Sequence, residues 1–192
     1  MPPNIDFYSK YRFRDYHLIL LTPTIIIDMK IKTISNRLYG ILVLFEMHTD
    51  FLIRALDGIK EEDAQKRLDT KANHIAWITG SIVYGRYYLA KSFGIELNSV
   101  TDELFKDNKG IIDDAVYPSL ADLKKDWEKI SPLLQDALIN ATEEKLDEMY
   151  KMPGMEITLF EMISFSTYRD ANCIGQIALW RRLLNYPGMN YM

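Results

Sequence analysis

The chain has 192 residues, 48% of them hydrophobic and 26% charged, the make-up of one ordinary globular domain with enough apolar residues to bury a core. Its net charge of −4 and lack of a basic stripe exclude a protein that tracks nucleic-acid phosphates. One cysteine excludes an internal disulfide and a cysteine-rich zinc site, and suits a reducing cytoplasm, where the chain is expected to reside.

Residues 1–32 differ in texture from the rest. MPPNIDFYSKYRFRDYH is followed by the β-branched run Leu18 to Ile27, with Pro23 in its middle and no helical period. That run is about half the roughly 20 apolar residues a membrane helix needs, so no membrane partner is expected. Asp28, Met29 and Lys30 stand where a signal peptide would place small cleavage-site residues. The segment reads as an extended arm lying on the remaining domain or on a partner subunit. The alternative is that Met29 is the biological start, because the regular pattern begins only at about Thr33.

From residue 33 to 192 the pattern is that of an all-α domain, a four-helix bundle with apolar positions three and four apart. The first helix spans about Thr33 to Asp57, with stripe Leu38, Ile41, Phe45, His48, Leu52 and Ala55, and closes at Gly58. The second spans about Asn73 to Phe93, with stripe His74, Trp77, Ser81, Tyr84 and Tyr88, and closes at Gly94. Ser119 with Asp122 caps the third, whose stripe is Leu120, Leu123, Trp127, Ile130, Leu134 and Ala137; Pro132 is expected to kink it. Thr142 before Glu143 and Glu144 marks one short extra helix. Thr158 and Glu161 form a capping box opening the fourth helix, which runs to Tyr186 with stripe Met162, Ser166, Arg169, Cys173, Gln176 and Trp180. The connection from Ile95 to Pro118 is long enough to travel the length of a helix, so the second and third helices can run parallel. The runs Glu61-Glu62-Asp63 and Lys124-Lys125 read as solvated helix ends or faces.

Two stripes are less apolar than a plain core. His74, Trp77, Ser81, Tyr84 and Tyr88 on the second helix and Arg169, Cys173 and Gln176 on the fourth are the residues that would line a ligand pocket, since facing polar groups in a bundle core build sites. The bland reading of each stands beside it: His74 as a neutral helix cap, His48 as a hydrogen-bonded core histidine, Cys173 as buried filler, and Trp77, Trp127 and Trp180 as core packing.

The stretches Asn73-His74-Ile75-Ala76-Trp77-Ile78-Thr79-Gly80-Ser81 and Arg169-Asp170-Ala171-Asn172-Cys173-Ile174-Gly175-Gln176 resemble the two signature regions of the DinB-like family. The resemblance covers about residues 33 to 188 and implies a four-helix bundle in up-down-down-up order, commonly a homodimer. Many members hold a divalent metal through three histidines. Carried across, those positions are Ser81, Arg169 and Cys173, none of them a histidine, and a guanidinium has no lone pair to give a metal. His74 lies seven residues before Ser81, about 10 Å along the axis, too far to substitute. The expectation is a chain with no metal and no cofactor.

Arg169 puts a permanent positive charge where such relatives hold a cation. It would receive the carboxylate or phosphate of a small anionic ligand, or else pair with an acid such as Glu46, Asp50 or Asp170. The family resemblance also implies an enzyme reading, a thiol-dependent transferase or isomerase; with the metal ligands gone, Cys173 would have to be the thiol.

Overall fold

The computed structural model describes residues 32–152 and 154–191. Apart from Lys32, the N-terminal arm and its possible start at Met29 lie outside the described residues. The described residues are mostly helical and form four long helices, three single-turn helices and one short β-hairpin.

A 3-10 turn, Asn36–Leu38, capped by Ser35, leads into α1 (Tyr39–Leu56). The buried side of α1 is Leu42, Phe45, His48, Leu52, Ala55 and Leu56; Ile41 is half-buried and Leu42 takes its place. The acidic run becomes α2 (Glu61–Ala64), whose Glu61 carboxylate does more than face water. It accepts from Leu120 N at 2.9 Å and Ala121 N at 3.3 Å, capping α5 (Leu120–Ile139) from 59 residues away. α3 (Ile75–Lys91) begins where the His74 ring accepts a hydrogen bond from Trp77 N at 3.1 Å. Both α1 and α3 stop where the sequence requires, at Gly58 (φ 70°) and Gly94 (φ 76°), since a left-handed residue ends a helix and only glycine takes that region without strain.

The long connection carries α4 (Asp102–Phe105) and a 3-10 turn (Lys106–Asn108). It is fastened at both faces. Buried Asp126 of α5 accepts from Val100 N at 2.8 Å and from Ser99 Oγ at 2.9 Å, and the Phe105 ring sits where a Cβ on Gly80 would lie 2.8 Å away. α5 (Leu120–Ile139) is capped by Ser119 as expected and continues through Pro132 as a single helix. α6 (Glu143–Leu146) is the expected extra turn, capped by Thr142. The sequence reading misses the next element: β1 (Met149–Met152) and β2 (Met155–Thr158) pair antiparallel, Tyr150 opposite Ile157. α7 (Leu159–Leu183) then starts with both halves of the Thr158–Glu161 capping box formed.

α1 packs on α5 and α7, and α3 packs on the same two helices. Backbone anchors fix these pairs. Ile34 N donates to Ile139 O at 3.0 Å, Trp127 Nε1 to Thr49 O at 3.1 Å, and Trp180 Nε1 to Asn73 O at 2.9 Å. Buried Arg181 donates to Ala55 O at 2.9 Å and Asp57 O at 2.5 Å, placing a cation on the carbonyl end of α1. Trp127 and Trp180 are core residues and Trp77 is half-buried. Among the described residues no helix is long and apolar enough to cross a membrane.

At the centre lies a residue outside every expected stripe. Arg86 of α3 is 3% exposed, with its guanidinium carbon 3.5 Å from the Trp127 ring centre and 3.9 Å from that of Phe45. Its Nε and Nη2 meet Asp170 Oδ2 of α7 at 3.1 Å. Its Nη1 donates to Thr49 Oγ1 at 2.7 Å and Ser131 Oγ at 2.6 Å. Burial pushes the guanidinium down to about 10, against the attraction of Asp170, and pushes the Asp170 carboxyl up. At about 10 the guanidinium still keeps its charge at neutral pH, so an unpaired partner would be costly. Arg86→Met is therefore expected to lower the unfolding free energy by about 3–5 kcal/mol, and Arg86→Met with Asp170→Leu to restore much of it. Urea unfolding of the three chains checks this, and a double variant no more stable than the single one would refute it.

Candidate functional site

Ser81 and Gly85 lie one turn apart on α3, facing Arg169 of α7. Arg169 Nη2 donates to Ser81 O at 3.1 Å and also to Ser81 Oγ. Its Nη1 lies 2.9 Å from where a Cβ on Gly85 would stand, so the glycine is what lets the guanidinium lie flat against α3. Two of the three positions that the resemblance would give to metal ligands, Ser81 and Arg169, are thus tied to each other, and Cys173 follows one turn along α7. Among the described residues no group of three or more His, Cys, Asp or Glu side chains could hold a metal ion.

Asp170, considered from the sequence as a partner for Arg169, pairs with Arg86 instead. No carboxylate of the described residues lies within ion-pairing distance of Arg169, although Asp170 is close enough to feel its field. Beside the guanidinium is a cavity of about 20 Å³, lined by Gly85, Arg86, Ser166, Thr167, Arg169 and Asp170 among others. That volume is about one water molecule or a small inorganic ion.

Of the eight expected pocket residues, only Arg169 lines this cavity. Ser81 anchors the guanidinium. His74 is spent on capping α3 and packs edge-on to Tyr117, ring centres 4.9 Å apart. Trp77 lies against Phe105 at 5.6 Å, with its indole N–H buried and without a hydrogen-bond partner among the described residues. Tyr84 stacks between Phe105 and Tyr88, and Tyr88 is exposed, touching Tyr150 of the hairpin. Gln176 is at the surface, bonded to Asn172 Oδ1 at 2.7 Å. On the fourth helix Met162, Cys173 and Trp180 are buried as expected, whereas Thr167, Asp170 and Ile177 face inward where Ser166, Arg169 and Gln176 were expected. Arg86, a lone charge in the run ITGSIVYGRYYLA, was the available signal for the polar centre and was missed.

Cys173 is 8% exposed, and burial pushes its thiol up to about 11, more than the nearby Arg169 charge pulls it down. A nucleophile needs the opposite shift. With a thiolate fraction at pH 7 of about one in ten thousand, alkylation of folded protein is expected to run at least about a hundredfold slower than that of the unfolded chain. A comparison of iodoacetamide rates with and without urea checks it.

His48 and His74 are both held near 4, by burial first and by the Arg86 and Arg67 charges next. The expected hydrogen bond of His48 is absent at Nδ1, which has no partner among the described residues. Both imidazoles are depressed in the fold, so the unfolded chain binds their protons first. Stability is full above about pH 6.5 and falls as pH drops toward 4. His74→Asn, which keeps a cap acceptor, is expected to flatten that fall in thermal melts across pH 4 to 7, leaving the share that belongs to His48. Compared with models of known protein families and with curated proteins, the chain matches none.

Proposed function

We infer that the chain is a metal-free, DinB-like four-helix bundle that binds a small anion at Arg169, between α3 and α7, and carries out no metal-dependent chemistry. The bundle order we propose is up-down-down-up. Contacts of Ile34 with Ile139 and of Thr49 with Trp127 support opposed α1 and α5; Trp180 on Asn73 supports opposed α3 and α7. Arg181 on Ala55 supports a shared direction for α1 and α7. His74 on Tyr117 with Tyr87 on the Asp126 carbonyl does the same for α3 and α5.

The observation that carries the anion reading is a half-buried guanidinium held by Ser81, with no paired carboxylate among the described residues, at the edge of a cavity that also reaches Ser166 and Thr167. A partly desolvated cation with unused donors favours a charge-assisted hydrogen bond to an anion. The cavity's size limits what enters without movement to a halide or a group as small as formate; a larger carboxylate or phosphate requires Arg169 to swing out from Gly85. The chain's acidic balance and its buried thiol fit a cytoplasmic binding protein better than a thiol enzyme.

Calorimetric titration with formate and with phosphate at constant ionic strength tests the assignment. Arg169→Met is expected to abolish the binding heat. Gly85→Ala, whose new methyl meets the guanidinium, is expected to weaken formate affinity about tenfold, or 1.4 kcal/mol, without unfolding α3. Equal binding by wild type and Arg169→Met would end the reading. Elemental analysis of tag-free protein should find zinc, nickel, iron and manganese far below one atom per chain.

A further inference from the structure

The cavity beside Arg169 has two unlike sides. Its inner wall is hydrocarbon from all four long helices: Phe45 of α1, Leu89 of α3, Leu134 and Leu138 of α5 and Ile163 of α7, none more than 4% exposed. Its rim is polar, with Gly85, Ser166 and Arg169 all half-buried. An apolar hollow with a few polar groups gathered at one end is the ordinary form of a small-molecule site.

The donors on the inner side are already engaged. Arg86 gives its N–H groups to Asp170, Thr49 and Ser131, and Thr167 Oγ1 donates to Ile163 O at 2.9 Å. What is left is the Ser166 hydroxyl, whose contact is a weak one with Met162 Sδ at 3.9 Å, and the Arg169 guanidinium. Nη2 of Arg169 is held by Ser81, while Nε and Nη1 make no hydrogen bond among the described residues. A buried water or hydrated ion needs about two to four polar partners, which a hydrocarbon wall does not supply. A void of about 20 Å³ holds one methyl group as readily as one water, and this wall favours the methyl.

Charge narrows the ligand further. Arg86 and Arg169 share the site with a single carboxylate, Asp170, which leaves one positive charge in excess. A monovalent head cancels it. A dianion would leave an uncompensated negative charge beside Asp170, partly withdrawn from water.

We propose that the site takes a short aliphatic monocarboxylate, with acetate the member that fits: the carboxylate stays at the rim on Arg169 and the methyl fills the cavity against Leu134, Leu138 and Ile163. This rests on the anion reading above and adds the class of anion. Only the methyl enters, so the guanidinium keeps its place against Gly85 and Ser81. Formate leaves the hollow empty, and propionate brings one carbon more than it accepts. Malonate carries a second charge. Glycine, an amino acid of the same length, would set its ammonium against hydrocarbon.

Calorimetric titration of the full chain at pH 7 and constant ionic strength, with formate, acetate, propionate, malonate and glycine, tests this. Acetate is expected to bind about fourfold more tightly than formate, the gain from burying one more carbon. Propionate is expected to bind more weakly than acetate, and malonate and glycine at least about tenfold more weakly. Ile163→Val removes one methyl from the wall, a change small enough to leave the chain folded, as circular dichroism would verify, and is expected to make propionate the preferred ligand. Equal affinity for formate and acetate in the wild-type chain, with both lost in Arg169→Met, would overturn the proposal and leave the anion site standing. A preference for acetate that Ile163→Val does not move would put the methyl elsewhere and overturn it as well. Binding of none of these anions, or binding that Arg169→Met leaves unchanged, would end both readings.

Discussion

Everything in the core is arranged around one guanidinium removed from water. Arg86 takes groups from all four long helices: Phe45 and Thr49 from α1, Trp127 and Ser131 from α5, Asp170 from α7, with Arg86 itself on α3. A buried charge tolerates little misalignment, because each donor left without an acceptor costs as much as a lost core contact. Aliphatic side chains alone would pack acceptably in several rotations of the helices about their axes. A fork of fixed geometry clamped between two rings satisfies its donors in one arrangement, which makes it a device of register as much as of stability.

That centre also dictates what α7 can offer on its neighbouring turn. Asp170 is committed to Arg86, so Arg169, the residue before it, cannot use it and turns instead to the carbonyl and hydroxyl of Ser81. Two arginines and one carboxylate share the middle of the helical core, and the imbalance leaves a cation with spare donors beside a small void. The anion-binding reading is therefore a statement about charge accounting in the core, which a family resemblance alone could not supply.

The elements that were legible in the sequence are those with strong local signals. The caps at Ser119, Thr142 and Thr158 and the glycine stops at Gly58 and Gly94 place helix ends where the structure has them. The hairpin of residues 149–158 was not legible, because the strands MYKM and MEIT are four residues each and alternate too briefly to outweigh their helix-forming residues. Nor was the pocket. Periodicity says which residues share a face, and it cannot say that Phe105 of a distant loop will lie on Gly80 or that Tyr88 will reach the surface. The polar centre escaped for a similar reason: Arg86 and Asp170 lie 84 residues apart, and each alone looks like an ordinary surface charge.

Glu61 has a consequence for how the chain acquires its shape. The first amides of α5 are satisfied by a carboxylate that precedes the whole of α3, so the start of α5 is complete only after the segment following α1 has docked. Ser119 supplies a local cap, but two of the orphan amides wait for a partner 59 and 60 residues upstream. The front of α5 and the turn at α2 are thus expected to gain their protection against hydrogen exchange together, as one cooperative unit that joins the first third of the described chain to the middle.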